Sequence, residues 1–186
     1  MSKKQSKEIF QNASLIKRGI AYFIDWYIIS ILTIIPINII YSIIFQKINF
    51  ESTLMNLPVI YASLAWIIGF ILTLIYLVYL PYRWDGMTIG KKICSIRIVK
   101  SDYSKIDFKT LFLRNGIGIL VIEGTFMTCS IYFWELMNLF TNHNISSPAL
   151  SLFTMISLIS FGICVMTPHR SMIHDFIGHT RVISKS

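Results

Sequence analysis

Hydrophobic positions along this chain gather into four long runs, Gly19 to Phe45, Pro58 to Leu80, Leu113 to Phe140 and Pro148 to Met166, with polar segments between them. Each run is about 19 to 28 residues, long enough as an α-helix to cross a hydrocarbon core roughly 30 Å thick. Pro36 falls inside the first run, where a spanning helix tolerates it if neighbouring groups satisfy the freed carbonyl. The pattern predicts an all-α transmembrane fold: a four-span helical bundle, residues 1–186 forming a single membrane domain, both termini cytoplasmic.

The polar segments set the orientation. Lys3, Lys4, Lys7, Lys17 and Arg18 precede the first run; Arg83, Lys91, Lys92, Arg97, Lys100, Lys105, Lys109 and Arg114 lie between the second and third; Arg170, Arg181 and Lys185 follow the fourth. Of the 17 basic residues only Lys47 falls on the other side, so the basic side is cytoplasmic by the bias of Lys and Arg toward inner loops. The same bias accounts for the net charge of +8 without nucleic acid as a partner, because basic loops belong beside anionic lipid headgroups. A composition of 54% hydrophobic and 14% charged residues fits a protein whose main partner is the lipid bilayer. The expected setting is the bacterial cytoplasmic membrane, crossed several times. No cleavable leader is expected, since the first run is far longer than a signal-peptide core.

The connectors Gln46 to Leu57 and Thr141 to Ser147 are short and nearly uncharged, whereas Pro81 to Thr110 is informative. In it, Ile96 to Lys100 reads as a β-strand, followed by a turn and by Asp107 or Thr110 as a helix cap. The tail echoes this loop: PYRWDGMTIG against PHRSMIHDFIG, and Arg97-Ile-Val against Arg181-Val-Ile. The entrances to the first and third runs also correspond, SLIKRGI against TLFLRNGI, which points to a parallel repeat of two hairpins. Chance likeness between two apolar hairpins is the plain alternative. The strands near Ile96 to Lys100 and Thr180 to Ser184 are expected to pair as a small cytoplasmic β element.

Two acids lie inside the apolar runs. Asp25 follows Arg18 by seven residues, on nearly the same helix face and about 10 Å deeper. Glu123 follows Arg114 by nine residues, at a depth of about 13 Å. Buried carboxylates in spans face a bundle interior or a wet cavity, so Asp25 is either a proton or cation carrier, held near an arginine such as Arg114, or a structural polar pin. The repeat would bring Glu123 across from Asp25, two acids sharing one site, with plain packing as the alternative. Glu135, beside Trp134 near the outer interface, is expected to be solvated, and the tryptophans to serve packing and anchoring.

GMTIGKK differs from a phosphate loop in having three residues between its glycines and no Ser or Thr after the lysines, so its glycines read as turn formers. His169, His174, Asp175 and His179 lack the spacing of a metal cage, and no metal or other cofactor is expected. Asp175 is expected to anchor the tail on an arginine such as Arg18, Arg83 or Arg97, or to cap backbone amides, and His174 to act as a structural histidine or a pH sensor.

Taken in order, Arg18 with Asp25, then Gly86, Thr88, Gly90 and Lys91 ahead of SIRIV, then His174 and Asp175 ahead of Gly178, Thr180, Arg181 and Val182, resemble the RDD family of small bacterial membrane proteins. The resemblance covers residues 14 to 184, with Ser95 standing where the family commonly has glycine at the strand entry. It implies a membrane role in which transport has been proposed, with cation/proton exchange for some members. The leading expectation is a small transporter exchanging a monovalent cation for protons as a homo-oligomer. The alternative is a non-transporting membrane partner, such as an immunity, stress-response or assembly factor bound to another membrane protein. No nucleophile with a base appears, so an enzyme is not expected.

Overall fold

The computed structural model describes residues 11–47 and 53–184. Lys3, Lys4, Lys7 and Lys185 of the basic tally, and residues 48–52 of the first connector, lie outside them. Helix α1, Leu15–Phe45, begins at Ser14, whose Oγ accepts the N–H of Lys17, runs as one helix through Pro36, and ends on Gln46 in left-handed backbone. Its buried face carries Ala21, Asp25, Ile29, Thr33 and Ile37, every fourth residue, the spacing of one side of a helix. Asp25 is therefore one position of the packing stripe.

Helix α2, Val59–Leu74, meets that stripe with Ala62, Ala65, Gly69 and Thr73, small residues that let two backbones approach where apolar burial alone distinguishes poorly between helix and lipid. The Thr33 and Thr73 hydroxyls lie 3.4 Å apart, each also donating to a carbonyl one turn back. Through a π-wound turn, Ile75–Tyr79, α2 continues into α3, Leu80–Arg83, so that Val59–Arg83 is one apolar helix of 25 residues.

The third expected span, 113–140, is not one helix. After α5, Phe108–Leu111, capped by Asp107 through the N–H of Thr110, the chain is π-wound over Phe112–Ile122 and stops at Glu123. A 3-10 turn, Gly124–Phe126, and an extended Met127 lead into α6, Thr128–Thr141. Gly116, Gly118 and Gly124 weaken helical continuity here. Side chains replace the lost ladder: Ser130 donates to the carbonyl of Leu120 at 2.6 Å and Ser157 to that of Glu123 at 3.3 Å. Among the described residues, three helices are long and apolar enough to cross a membrane: Leu15–Phe45, Val59–Arg83 and α7, Ser146–Met166.

The two remaining short helices, α4 (Ile89–Ile93) and α8 (Ile173–Ile177), each lead into a five-residue strand, β1 (Ile96–Lys100) and β2 (Thr180–Ser184). The strands pair as expected, and the pairing is antiparallel, with Ile98 opposite Val182. Both halves pass from helix to strand through a left-handed residue, Ser95 at φ 53° and His179 at φ 47°, and both strands bury their first, third and fourth positions. The echo seen in the sequence thus has a counterpart in backbone geometry. One core, around Ile29, Leu77, Ile98, Leu111 and Val182, joins this sheet to the helices; a second, around Ile37, Leu54, Ala62 and Leu136, closes the opposite end. Glu135 belongs to that second end and is partly buried there, accepting from Thr53 Oγ1 and the N–H of Leu54 at 3.0 Å each, so it is a cap and not a solvated side chain.

Candidate functional site

The basic ends of α1, α2 and the π-wound segment converge on the two short helices. Asp25, 3% exposed, accepts from four groups: the Tyr76 hydroxyl and the Thr88 hydroxyl at 2.5 Å each, the N–H of Gly90 at 2.9 Å, and Lys91 Nζ at 3.3 Å. Thr88 is also the N-cap of α4, its Oγ1 accepting the N–H of Lys91. Asp25 therefore closes the start of α4, where unpaired amides and the helix dipole favour a negative charge. The expected partner Arg114 lies elsewhere; Lys91 takes the place of an arginine. Burial lowers the Lys91 pKa, and the Asp25 charge opposes that shift.

Glu123 occupies the corresponding place in the second half. Its Oε1 accepts the N–H of His174 at 2.9 Å and the Ser160 hydroxyl at 2.7 Å, while Oε2 lies 2.8 Å from His174 Nδ1. Gly90 and His174 each sit two residues after the cap residue of their short helix, so Asp25 and Glu123 each receive the same amide of their own half. The two acids do not share one site, as the repeat argument expected, because each short helix supplies its own donors.

Asp175 ties the halves together. Arg18 reaches its Oδ2 at 2.6 Å, Arg114 its Oδ1 at 2.7 Å through Nη2 and 3.1 Å through Nε, and the N–H of Met172 closes the α8 cap at 3.1 Å. Of the expected anchors, Arg18 is used, and Arg114 serves where Arg83 or Arg97 was expected. Burial would raise the Asp175 pKa, but Arg114, His174 and Arg18 hold it well below the usual carboxylate range. Arg114, fully buried, also donates to Asn115 Oδ1 at 2.7 Å and Thr180 Oγ1 at 3.1 Å, and Asn115 in turn donates to the Leu77 carbonyl.

His174 bridges the two acids, Nδ1 toward Glu123 and Nε2 3.6 Å from Asp175 Oδ1. Burial lowers its pKa below the ordinary imidazole range, with Asp175 and Glu123 pulling the other way. Three acids, Asp25, Glu123 and Asp175, thus face three cationic side chains, Arg18, Lys91 and Arg114. Above this cluster, a cavity of about 320 Å³ opens between α1 and α7, lined by Gly19, Tyr22, Ser157 and Phe161 and touching Glu123 and His174.

Gly86 stands apart from the charges. At φ 82° it makes the turn its type allows, and its carbonyl accepts the N–H of Ile98 at 2.9 Å, fixing the loop against β1. The sequence left Tyr76, Ser160 and Asn115 unmarked. Their only signal was a polar group in or beside an apolar run, shared by many residues that line no site.

Apolar helices long enough to cross a bilayer, enclosing buried ion pairs at one end, define a polytopic membrane-type protein. A family model described as RDD family matches residues 12–179, and the chain belongs to that family. It is 36% identical over 106 residues to an uncharacterized protein, YckC, of Bacillus subtilis (strain 168). That alignment covers 57% of this chain and 58% of the relative, so the chain spans less than two thirds of the relative's length. No solved structure matches the chain.

Proposed function

We propose that the chain is a small proton-coupled transporter of the bacterial cytoplasmic membrane, exchanging a monovalent cation for protons, and not an enzyme. It crosses four times with both termini inside, the π-wound segment and α6 together making the third crossing. Four crossings enclose little space, so a homo-oligomer fits this reading. The orientation is supported by the basic residues on the α4, α8 and sheet side.

The observation that carries the reading is the Glu123–His174 pair at 2.8 Å beside a cavity between two membrane-type helices. A proton arriving on His174 leaves both ring nitrogens as donors, one toward each acid, and it can pass along the short contact to Glu123. Glu123 then alternates between proton and cation. Asp25, with four donors already on it, clamps α4 to α1, and Arg18, Arg114 and Asp175 brace the second half.

The test is purified protein in liposomes holding a pH dye, given pulses of Na⁺, K⁺ or Li⁺, beside Glu123→Gln. Wild-type proton movement that disappears in a folded Glu123→Gln protein is the expected result. The saturation of Asp25 favours a second reading, a non-transporting partner of another membrane protein. Absence of proton movement with all three cations would select it.

A further inference from the structure

A second cavity, about 350 Å³, lies at the same helix break. The break is a shared wall: Ile119, Glu123 and Phe126 line the first cavity, while Leu120, Gly124 and Thr125 line the second. The remaining walls of the second are mostly aromatic. Trp66 stacks on Phe70 with ring centres 5.0 Å apart and lies 5.4 Å from Phe133, which meets Trp134 edge-on at 5.3 Å; Trp134 lies 5.8 Å from Phe153. Trp66 is held in place by donating Nε1–H to the Cys129 carbonyl at 3.1 Å.

Three features describe what fits there. Among the described residues no charged side chain lines the cavity, so a small inorganic cation would find too few oxygens to replace its hydration shell. The π-wound segment ends at this wall, where the partial negative charge of a helix C-terminus gathers, although the Leu120 carbonyl there is already bonded by Ser130. Thr125 Oγ1 is buried without a hydrogen-bond partner among the described residues, a polar atom left over at the wall. A volume of this size falls in the small-ligand range of about 300–1,000 Å³. Val121, which also lines it, is 60% exposed, so the cavity opens sideways on the apolar surface.

We propose that this cavity binds a lipophilic organic cation, aromatic or quaternary, entering from the lipid side. A cation with delocalised or shielded charge gives up little hydration, and the aromatic rings lining the cavity, Trp66 and Trp134 among them, attract it. Binding here is independent of the proton-coupled reading, in which Glu123, across the shared wall, alternates between proton and inorganic cation.

The experiment is equilibrium binding of tetraphenylphosphonium to the purified full chain in detergent, at one pH and without a gradient, beside tetraphenylborate, the anion of the same shape. Saturable tetraphenylphosphonium binding is expected, weakened about fivefold to tenfold in Trp134→Leu and kept in Trp134→Phe, which preserves an aromatic face. Tetraphenylborate should bind far more weakly. Absence of saturable binding, affinity unchanged in Trp134→Leu and Trp66→Leu, or equal binding of the anion would overturn the proposal. None of these outcomes touches the inorganic-cation flux assay, so the two readings fail separately.

Discussion

The backbone N–H of Gly90 donates to Asp25 Oδ1 at 2.9 Å, which draws the start of α4 onto a carboxylate well inside α1. Only a residue without a side chain allows that approach. A Cβ at position 90 would collide with the Ala21 carbonyl and stand 2.8 Å from Asp25 Oδ1. Gly90→Ala should therefore lower stability by about 1–3 kcal/mol, the range for overpacking a tight contact, read as a drop in unfolding temperature in detergent. An unchanged midpoint would mean that α4 does not dock here.

The same carboxylate leaves Lys91 dependent on it. Asp25→Asn should cost about 3–5 kcal/mol, because the ammonium stays buried with its charge unanswered. Lys91→Met in the Asp25→Asn background should recover a large part of that loss, since the double variant holds no buried charge at the site. A double-mutant cycle in unfolding free energy measures the coupling. Additive effects would show that Lys91 reaches water and not Asp25.

Protonation should register in stability through His174. Its folded pKa lies below its ordinary value because of burial, so just below pH about 6.5 the unfolded chain binds a proton that the folded chain refuses. Stability then falls as pH drops from about 6.5 to the folded value and levels off beneath it, at a limiting slope of about 1.4 kcal/mol per pH unit. Asp175 behaves the other way round in charge but not in direction: its depressed pKa gives stability present above about pH 4 and lost as pH falls further. Unfolding midpoints between pH 8 and 5 should show the first loss in the wild type and not in His174→Gln.

Much of this arrangement was readable in the residues and some of it was not, for physical reasons. The helix cap was narrowed to Asp107 or Thr110, of which Asp107 serves, and Ile96 to Lys100 declared itself as a strand, because local chemistry decides both. Asp25 was visible as a carboxylate needing shelter, but its donors were not, because Thr88, Gly90 and Lys91 are distant along the chain and arrive through the fold of α4. The break at Glu123 was hidden inside a run that is apolar throughout, since hydropathy records the solvent around a helix and not whether its ladder is intact. Ser130, Ser157 and His174, which make the break tolerable, act from three other elements. Glu135 misled for a related reason: its place near Trp134 spoke of an interface, while the amide it caps belongs to the turn at Leu54.

The sheet offers the sharpest geometric check, because β1 and β2 come from opposite halves and their pairing closes the basic end. Ile98 and Val182 are register partners and both are buried. Residues directly opposite in an antiparallel pair have Cα atoms about 4.5–5.5 Å apart, inside the range a disulfide spans. Cysteines at 98 and 182, in a chain with Cys94, Cys129 and Cys164 replaced by serine or alanine, should crosslink under mild oxidation and run faster on a non-reducing gel. Cysteines at 98 and 183 should not, since a shift of one residue turns the second side chain to the other face of the sheet. Efficient crosslinking of the shifted pair in preference to the matched one would show a different register, and with it a different placement of His174 and Asp175, which reach Glu123 and the arginines only because β2 is anchored where it is.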